Sequence, residues 1–170
     1  MDLKSKIREI PDFPKKGILF YDITPALKDP LVFAEIIRQM AQPYLHQKIN
    51  KVVAIESRGF ILGAPIAQWL GAGFVPVRKP GKLPFATIEE RYHLEYGTDC
   101  LSIHQDAICA GENVLIVDDV MATGGTLRAT VNMVNRLGGN MVGIALFIEL
   151  TALNGRNQLT GLPIFSLLTD

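Results

Sequence analysis

Apolar residues fall into two patterns that take turns along the chain. Residues 31–45 place Leu31, Phe33, Ile36, Ile37, Met40, Ala41 and Tyr44 at helical spacing, which predicts a helix with one apolar face. Residues 51–55, KVVAI, form a short unbroken apolar run, the pattern of a strand buried on both sides. The alternation then repeats. Residues 60–70 read as a helix, although Pro65 lies within it. Residues 74–77 and 114–117 read as strands. Residues 127–137 read as a helix closed by Gly138 and Gly139, and 141–147 and 164–167 as the last strands. Ahead of the alternation, 5–10 read as a short helix ended by Pro11, 14–17 as a turn and 18–20 as an extended piece. Strand–helix–strand repetition with short apolar strands predicts an α/β fold, an open, mainly parallel five-stranded sheet with helices on both faces.

Two stretches stand outside that rhythm. Residues 79–103 are polar and rich in Gly, Pro, Glu and Tyr. An insertion of this length inside a compact domain is usually functional. Its pieces 91–96 and 100–103 are expected to pair as a hairpin that moves. Residues 1–30 are expected to form a small hood over the sheet edge where ligands sit. The whole chain, 1–170, reads as a single domain with these two additions.

Composition narrows the classes. A chain of 170 residues, 48% hydrophobic and 20% charged, can build one core. Its formal net charge is +0, so no global field draws it to nucleic acid or an anionic membrane. Anion binding must come from local arrangements. Cys100 and Cys109 lack metal-site spacing and are too few for a disulfide framework. They are expected to be reduced thiols of a cytoplasmic protein. The N-terminal stretch is charged and has no apolar core, unlike a signal peptide. No run approaches the roughly 20 apolar residues of a membrane span.

The local chemistry sits in residues 114–126, VLIVDDVMATGGT. Open parallel sheets bind ligands beyond the carboxyl ends of their strands. VLIV delivers the chain to that edge, Asp118 and Asp119 arrive there, and a loop opens the next helix. Gly124 and Gly125 let backbone amides approach an anion. A helix N-terminus adds unpaired N–H donors and partial positive charge. Thr123 and Thr126 add hydroxyls. With Ala122 these make a phosphate monoester site. The two aspartates would repel a phosphate unless they bind something else. Vicinal sugar hydroxyls one ring away from a 5′-phosphate suit them, and carboxylates also favour Mg²⁺ nearby. A ribose 5-phosphate with a metal is the natural ligand. Thr-Gly-Gly-Thr alone could be an ordinary strand-to-helix turn and Asp-Asp alone a solvated loop; it is their combined order after an apolar strand that is specific.

Glu56-Ser57-Arg58-Gly59 repeats the arrangement after KVVAI. Ser57 and the loop amides, with the Arg58 guanidinium, could grip a diphosphate. The plain alternative is a surface pair of Arg58 with Glu56. Arg78, Lys79 and Lys82 put three cations in five residues at the start of the insertion. A charge cluster is commonly a solvated face, but here it follows a strand end.

These segments resemble a known family. Residues 114–126 resemble the diphosphate-sugar signature of type I phosphoribosyltransferases. Phe13-Pro14 with Gly17-Ile18-Leu19-Phe20 and Asp22-Ile23-Thr24, then Glu56–Phe60 (ESRGF), 78–84 (RKPGKLP) and 94–97 (LEYG) resemble the branch that uses adenine. The resemblance runs over essentially the whole chain. It implies purine salvage: 5-phosphoribosyl passes from its 1-diphosphate to N9 of adenine, giving AMP and diphosphate, with Mg²⁺ held mainly through the substrate's diphosphate and ribose hydroxyls and Asp118 and Asp119 nearby. It implies that Arg58, Lys79 and Lys82 face the diphosphate and that the 56–59 loop carries a strained backbone, such as a cis non-proline peptide. It implies a homodimer, with Lys79 as a contact reaching across the interface. Glu95 resembles a lid glutamate that accepts or relays the purine proton, and Tyr96 a tyrosine that closes over the reacting centre. Leu19, Phe20 and Tyr21 would line the adenine slot through backbone groups, and Met121 would pack against the base. Some relatives have Arg where Tyr21 stands, which leaves any side-chain role there open. His93 reads as a bystander.

Two other functions remain compatible with the signature. One is a sister enzyme for hypoxanthine, guanine, xanthine or orotate, which would usually bring a cationic donor for a 6-oxo group. The other is a regulator that keeps the phosphoribosyl site without catalysis. Such a regulator would normally carry a nucleic-acid module, for which the chain has no spare length.

Overall fold

The computed structural model describes residues 2–94 and 97–170. It divides into two compact units, Met1–Gln39 and Met40–Asp170.

In the N-terminal unit, a 3-10 turn at Lys4–Lys6 leads into strand β1, Arg8–Pro11, which pairs antiparallel with β2, Leu19–Asp22. Of the expected helix over 5–10, residues 8–10 are therefore strand and 5–6 belong to the 3-10 turn. Its Lys, Arg and Glu favour a helix only weakly, and a partner strand overrides so short a preference. The register sets Ile10 opposite Phe20 and Arg8 opposite Asp22, with an Arg8–Asp22 ion pair at 3.4 Å. The connection has a cis Phe13–Pro14 bond, and the Asp12 carboxylate accepts the Gly17 N–H at 2.6 Å. A short helix follows, α1, Thr24–Leu27, which periodicity did not reveal. Helix α2, Pro30–Ala41, is capped by Asp29, whose side chain accepts the Leu31 and Val32 N–H groups. The expected helix over 31–45 stops at Ala41 and tightens into a 3-10 turn, Gln42–Tyr44, around Pro43.

The larger unit holds the parallel sheet. Its strands are β3 (Lys51–Ile55), β4 (Gly73–Val77), β7 (Asn113–Met121), β8 (Asn140–Glu149) and β9 (Ile164–Thr169), in spatial order β4-β3-β7-β8-β9. Helix α3, Arg58–Leu70, joins β3 to β4, and helix α4, Gly125–Arg136, joins β7 to β8. The first crossover steps towards one edge of the sheet and the second towards the other. Crossovers between parallel strands are right-handed, so opposite steps put α3 and α4 on opposite faces. On the α4 face, Val53, Ile55, Val75, Val77, Ile116 and Leu146 pack with Leu127, Val131 and Val134 of the helix. Leu101 and Ile103 join that core from the inserted hairpin. The hairpin consists of β5, Thr87–His93, and β6, Thr98–His104, paired antiparallel with Arg91 opposite Cys100. Both strands are longer than the pieces read from sequence.

The largest difference from the sequence reading lies in β7. Expected to stop at Val117, it pairs with β8 as far as Met121, so both aspartates belong to the strand. Acidic residues disfavour strands only mildly, and a neighbouring strand of ten residues offers backbone partners for the full length.

Candidate active site

Between β3 and β7 the sheet reverses its winding, and open parallel sheets bind ligands at such a switch point. Both loops singled out in the sequence end there. β3 runs into Glu56 and Ser57, joined by a cis peptide bond, and then into α3. β7 carries Asp118 and Asp119, then passes through 122–124 into α4.

Glu56 is not the partner of Arg58. Its carboxylate accepts the Lys79 backbone N–H and lies 3.3 Å from an Arg78 guanidinium nitrogen. Arg58 instead places Nε 2.7 Å from Asp119 Oδ2. Asp118 and Asp119 are only 8% and 6% exposed, yet both are acidic and adjacent. Asp118 Oδ1 accepts the Asp119 N–H at 2.9 Å. Burial first, then the Asp119 charge, pushes the Asp118 carboxyl well above its usual range. Such a pair favours incoming positive charge, which relieves its own repulsion.

Two cavities meet at Asp118. One, of about 260 Å³, is lined by Glu56, Ser57, Arg58, Lys79, Tyr92, Asp118, Asp119 and Thr126. The other, of about 90 Å³, is lined by Asp118, Val120, Met121 and the loop residues Ala122, Thr123, Gly124, Gly125 and Thr126 with Leu127. Asp118 and Thr126 belong to both. One cavity thus offers cations, the other backbone at a helix N-terminus, and carboxylates stand between them. Gly124 begins α4 with φ 84°, a left-handed conformation, and a Cβ there would lie 2.5 Å from the Gly155 carbonyl oxygen.

Lys79 lines the larger cavity, and its ammonium is held within its own chain, donating to Asp99 Oδ2 and, at 3.3 Å, to the Tyr92 hydroxyl. Tyr92 and Asp99 face each other across β5 and β6, and the Tyr92 hydroxyl donates to Asp99 at 3.2 Å. Sequence reasoning missed both residues, since only the hairpin register makes them partners. Lys82 lies one turn on, donating its N–H to the Lys79 carbonyl, and is not among the side chains lining either cavity. Met121, read as a base contact, is 1% exposed and belongs to the core, and it also lines the smaller cavity. Leu19, Phe20 and Tyr21 lie on β2 of the N-terminal unit, with Leu19 exposed. Glu95 and Tyr96 lie outside the described residues.

Among the described residues no group of three or more His, Cys, Asp or Glu side chains could enclose a metal. Asp118 and Asp119 are nonetheless the hard oxygen donors that Mg²⁺ takes. They suit an ion whose remaining ligands come from a substrate. No described helix is long and apolar enough to cross a membrane.

Residues 24–161 match the family model of the phosphoribosyl transferase domain. Over 168 residues the chain is 56% identical to the adenine phosphoribosyltransferase of Thermotoga neapolitana, covering 99% of each. The chain belongs to the adenine phosphoribosyltransferases. Solved structures of the family agree. The crystal structure of the Thermoanaerobacter pseudethanolicus adenine phosphoribosyltransferase matches with a TM-score of 0.97 at 53% identity, over 99% of this chain and 98% of that one. The Saccharomyces cerevisiae adenine phosphoribosyltransferase, complexed with an imino-altritol bisphosphate and adenine, matches with a TM-score of 0.92 at 41% identity, over 98% and 97%.

Proposed function

We infer that the chain carries out purine salvage, transferring 5-phosphoribosyl from 5-phosphoribosyl 1-diphosphate to N9 of adenine and giving AMP and diphosphate. The observation that carries this reading is the pair of adjoining cavities that share Asp118 and Thr126. Their chemistry follows the order of the donor: 5′-phosphate, ribose hydroxyls, diphosphate. Membership of the adenine family supplies the acceptor.

In this reading the C1′–oxygen bond to diphosphate breaks as the purine N9 bonds to C1′. The sugar carbon gains positive charge, and the buried Asp118 and Asp119 stabilise it while accepting hydrogen bonds from the ribose hydroxyls. Ala122, Thr123, Gly124, Gly125 and Thr126 hold the 5′-phosphate, and that remote binding positions C1′. Arg58 and Lys79 neutralise the leaving diphosphate, with Ser57 beside them, and by family resemblance Lys82 adds a further cation. For Lys79 this means exchanging Asp99 for the ligand. Asp118 and Asp119 are the residues that would lie near a bound Mg²⁺, which would supply further charge neutralisation for the departing diphosphate. By family resemblance Glu95 takes the proton that leaves the purine, Tyr96 closes over the reacting centre, and Leu19, Phe20 and Tyr21 select adenine through backbone groups. The inserted hairpin serves as a lid that excludes water that would hydrolyse the sugar cation. We also propose a cytoplasmic homodimer.

Purified protein mixed with the diphosphate sugar, Mg²⁺ and each nucleobase in turn tests the reading. AMP formed only with adenine supports it, and omission of Mg²⁺ should abolish turnover. Formation of IMP or GMP, or no product at all, would overturn it.

A further inference from the structure

The loop that holds the 5′-phosphate does not stand by itself. Behind it runs the segment between β8 and β9, which no motif singled out. Gln158 Nε2 donates to the Thr123 carbonyl at 2.9 Å. A Cβ on Gly155 would lie 2.5 Å from the Ala122 carbonyl oxygen and 3.0 Å from Met121 Cγ, so only glycine allows this approach. The contact is mutual, because Gly124 meets the Gly155 carbonyl in the same way. The segment is itself anchored. Arg156 makes two 2.7 Å hydrogen bonds to the buried Glu149, which also accepts the Ser166 hydroxyl at 2.5 Å. The Arg156 pair holds the Glu149 carboxyl below its usual range.

A trans peptide points its C=O and N–H in opposite directions. Where the Thr123 carbonyl is held by Gln158 on one side, the Gly124 N–H is presented on the other. Where the Ala122 carbonyl is turned towards Gly155, the Thr123 N–H is turned away. Without a donor behind it, the Thr123–Gly124 peptide could rotate and set its carbonyl towards the phosphate, replacing attraction with repulsion.

We propose that Gln158, seated by Gly155, is a positioning residue for the 5′-phosphate: it locks the loop peptides with their N–H groups towards the anion. This rests on the reading of 122–126 as the 5′-phosphate loop. Gln158 is exposed, and its side chain bonds to a backbone carbonyl, so its replacement is expected to leave the fold intact.

The test is Gln158→Met, which keeps length and removes the donor, measured by calorimetric titration with ribose 5-phosphate and, separately, with inorganic diphosphate. The expected result is a dissociation constant for ribose 5-phosphate raised roughly fivefold, the equivalent of one neutral hydrogen bond. Diphosphate affinity, KM for adenine and Tm should stay unchanged, and Gln158→Lys, which restores a donor, should recover the binding. Unchanged ribose 5-phosphate affinity in Gln158→Met, or equal weakening of both ligands with a lower Tm, would overturn the proposal while leaving the enzyme reading intact. Failure of the unmutated protein to bind ribose 5-phosphate would overturn both.

Discussion

Asp118 and Asp119 place two carboxylates side by side at under a tenth exposure, an arrangement folding alone would disfavour. Because the Asp118 carboxyl is raised in the folded chain, the folded state holds more protons than the unfolded one between the usual carboxylate value and the raised one. Stability therefore falls as pH rises through that window, and the full penalty is present above it. Asp118→Asn removes the charge and keeps an oxygen for the Asp119 N–H. Thermal melts should show a higher Tm than the parent at neutral pH, with the gain shrinking towards pH 4. In the same variant kcat/KM should fall by roughly two orders of magnitude, the scale of removing one preorganised electrostatic group at a transition state. Unchanged kcat/KM would remove the account of the ribose hydroxyls. The identities of these residues were legible from their order after VLIV. Their burial was not, since a pair of aspartates reads equally well as a solvated loop until β8 is seen to run beside them.

Among the elements, the turn from β7 into α4 depends most on backbone. Gly124→Ala would force a side chain into a left-handed conformation and against the Gly155 carbonyl. A stability loss of about 1–3 kcal/mol is expected in denaturant melts, together with weaker ribose 5-phosphate binding. Retained full affinity would mean that this backbone does not hold the phosphate. Strands with continuous apolar runs, such as Lys51–Ile55, and helices with a clear stripe, such as Gly125–Arg136, were predictable because burial imposes their period. The first residues were misread because a four-residue strand, Arg8–Pro11, is decided by its partner and not by its own preference. The hairpin was legible as a polar interruption, but its register was not, and with it the Lys79–Tyr92–Asp99 cluster.

For the whole molecule, the proposed homodimer predicts that light scattering coupled to size exclusion will return twice the chain mass at micromolar concentration. A single-chain mass would refute it. Exposed Ile61, Trp69 and Phe74 on α3 and β4 are the kind of apolar groups that an interface covers. The sequence by itself determined the α/β class, the sugar-phosphate signature and the family, because strand burial, helix periodicity and a glycine-rich loop after a strand are local patterns with local causes. Only the tertiary structure decided which groups from distant positions meet. Strand order placed Glu56–Arg58 beside Asp118 and Asp119, paired Arg58 with Asp119 and not with Glu56, and brought Gly155 and Gln158 against residues 122–124. Such meetings depend on which strand lies next to which, and spacing along one chain does not encode that.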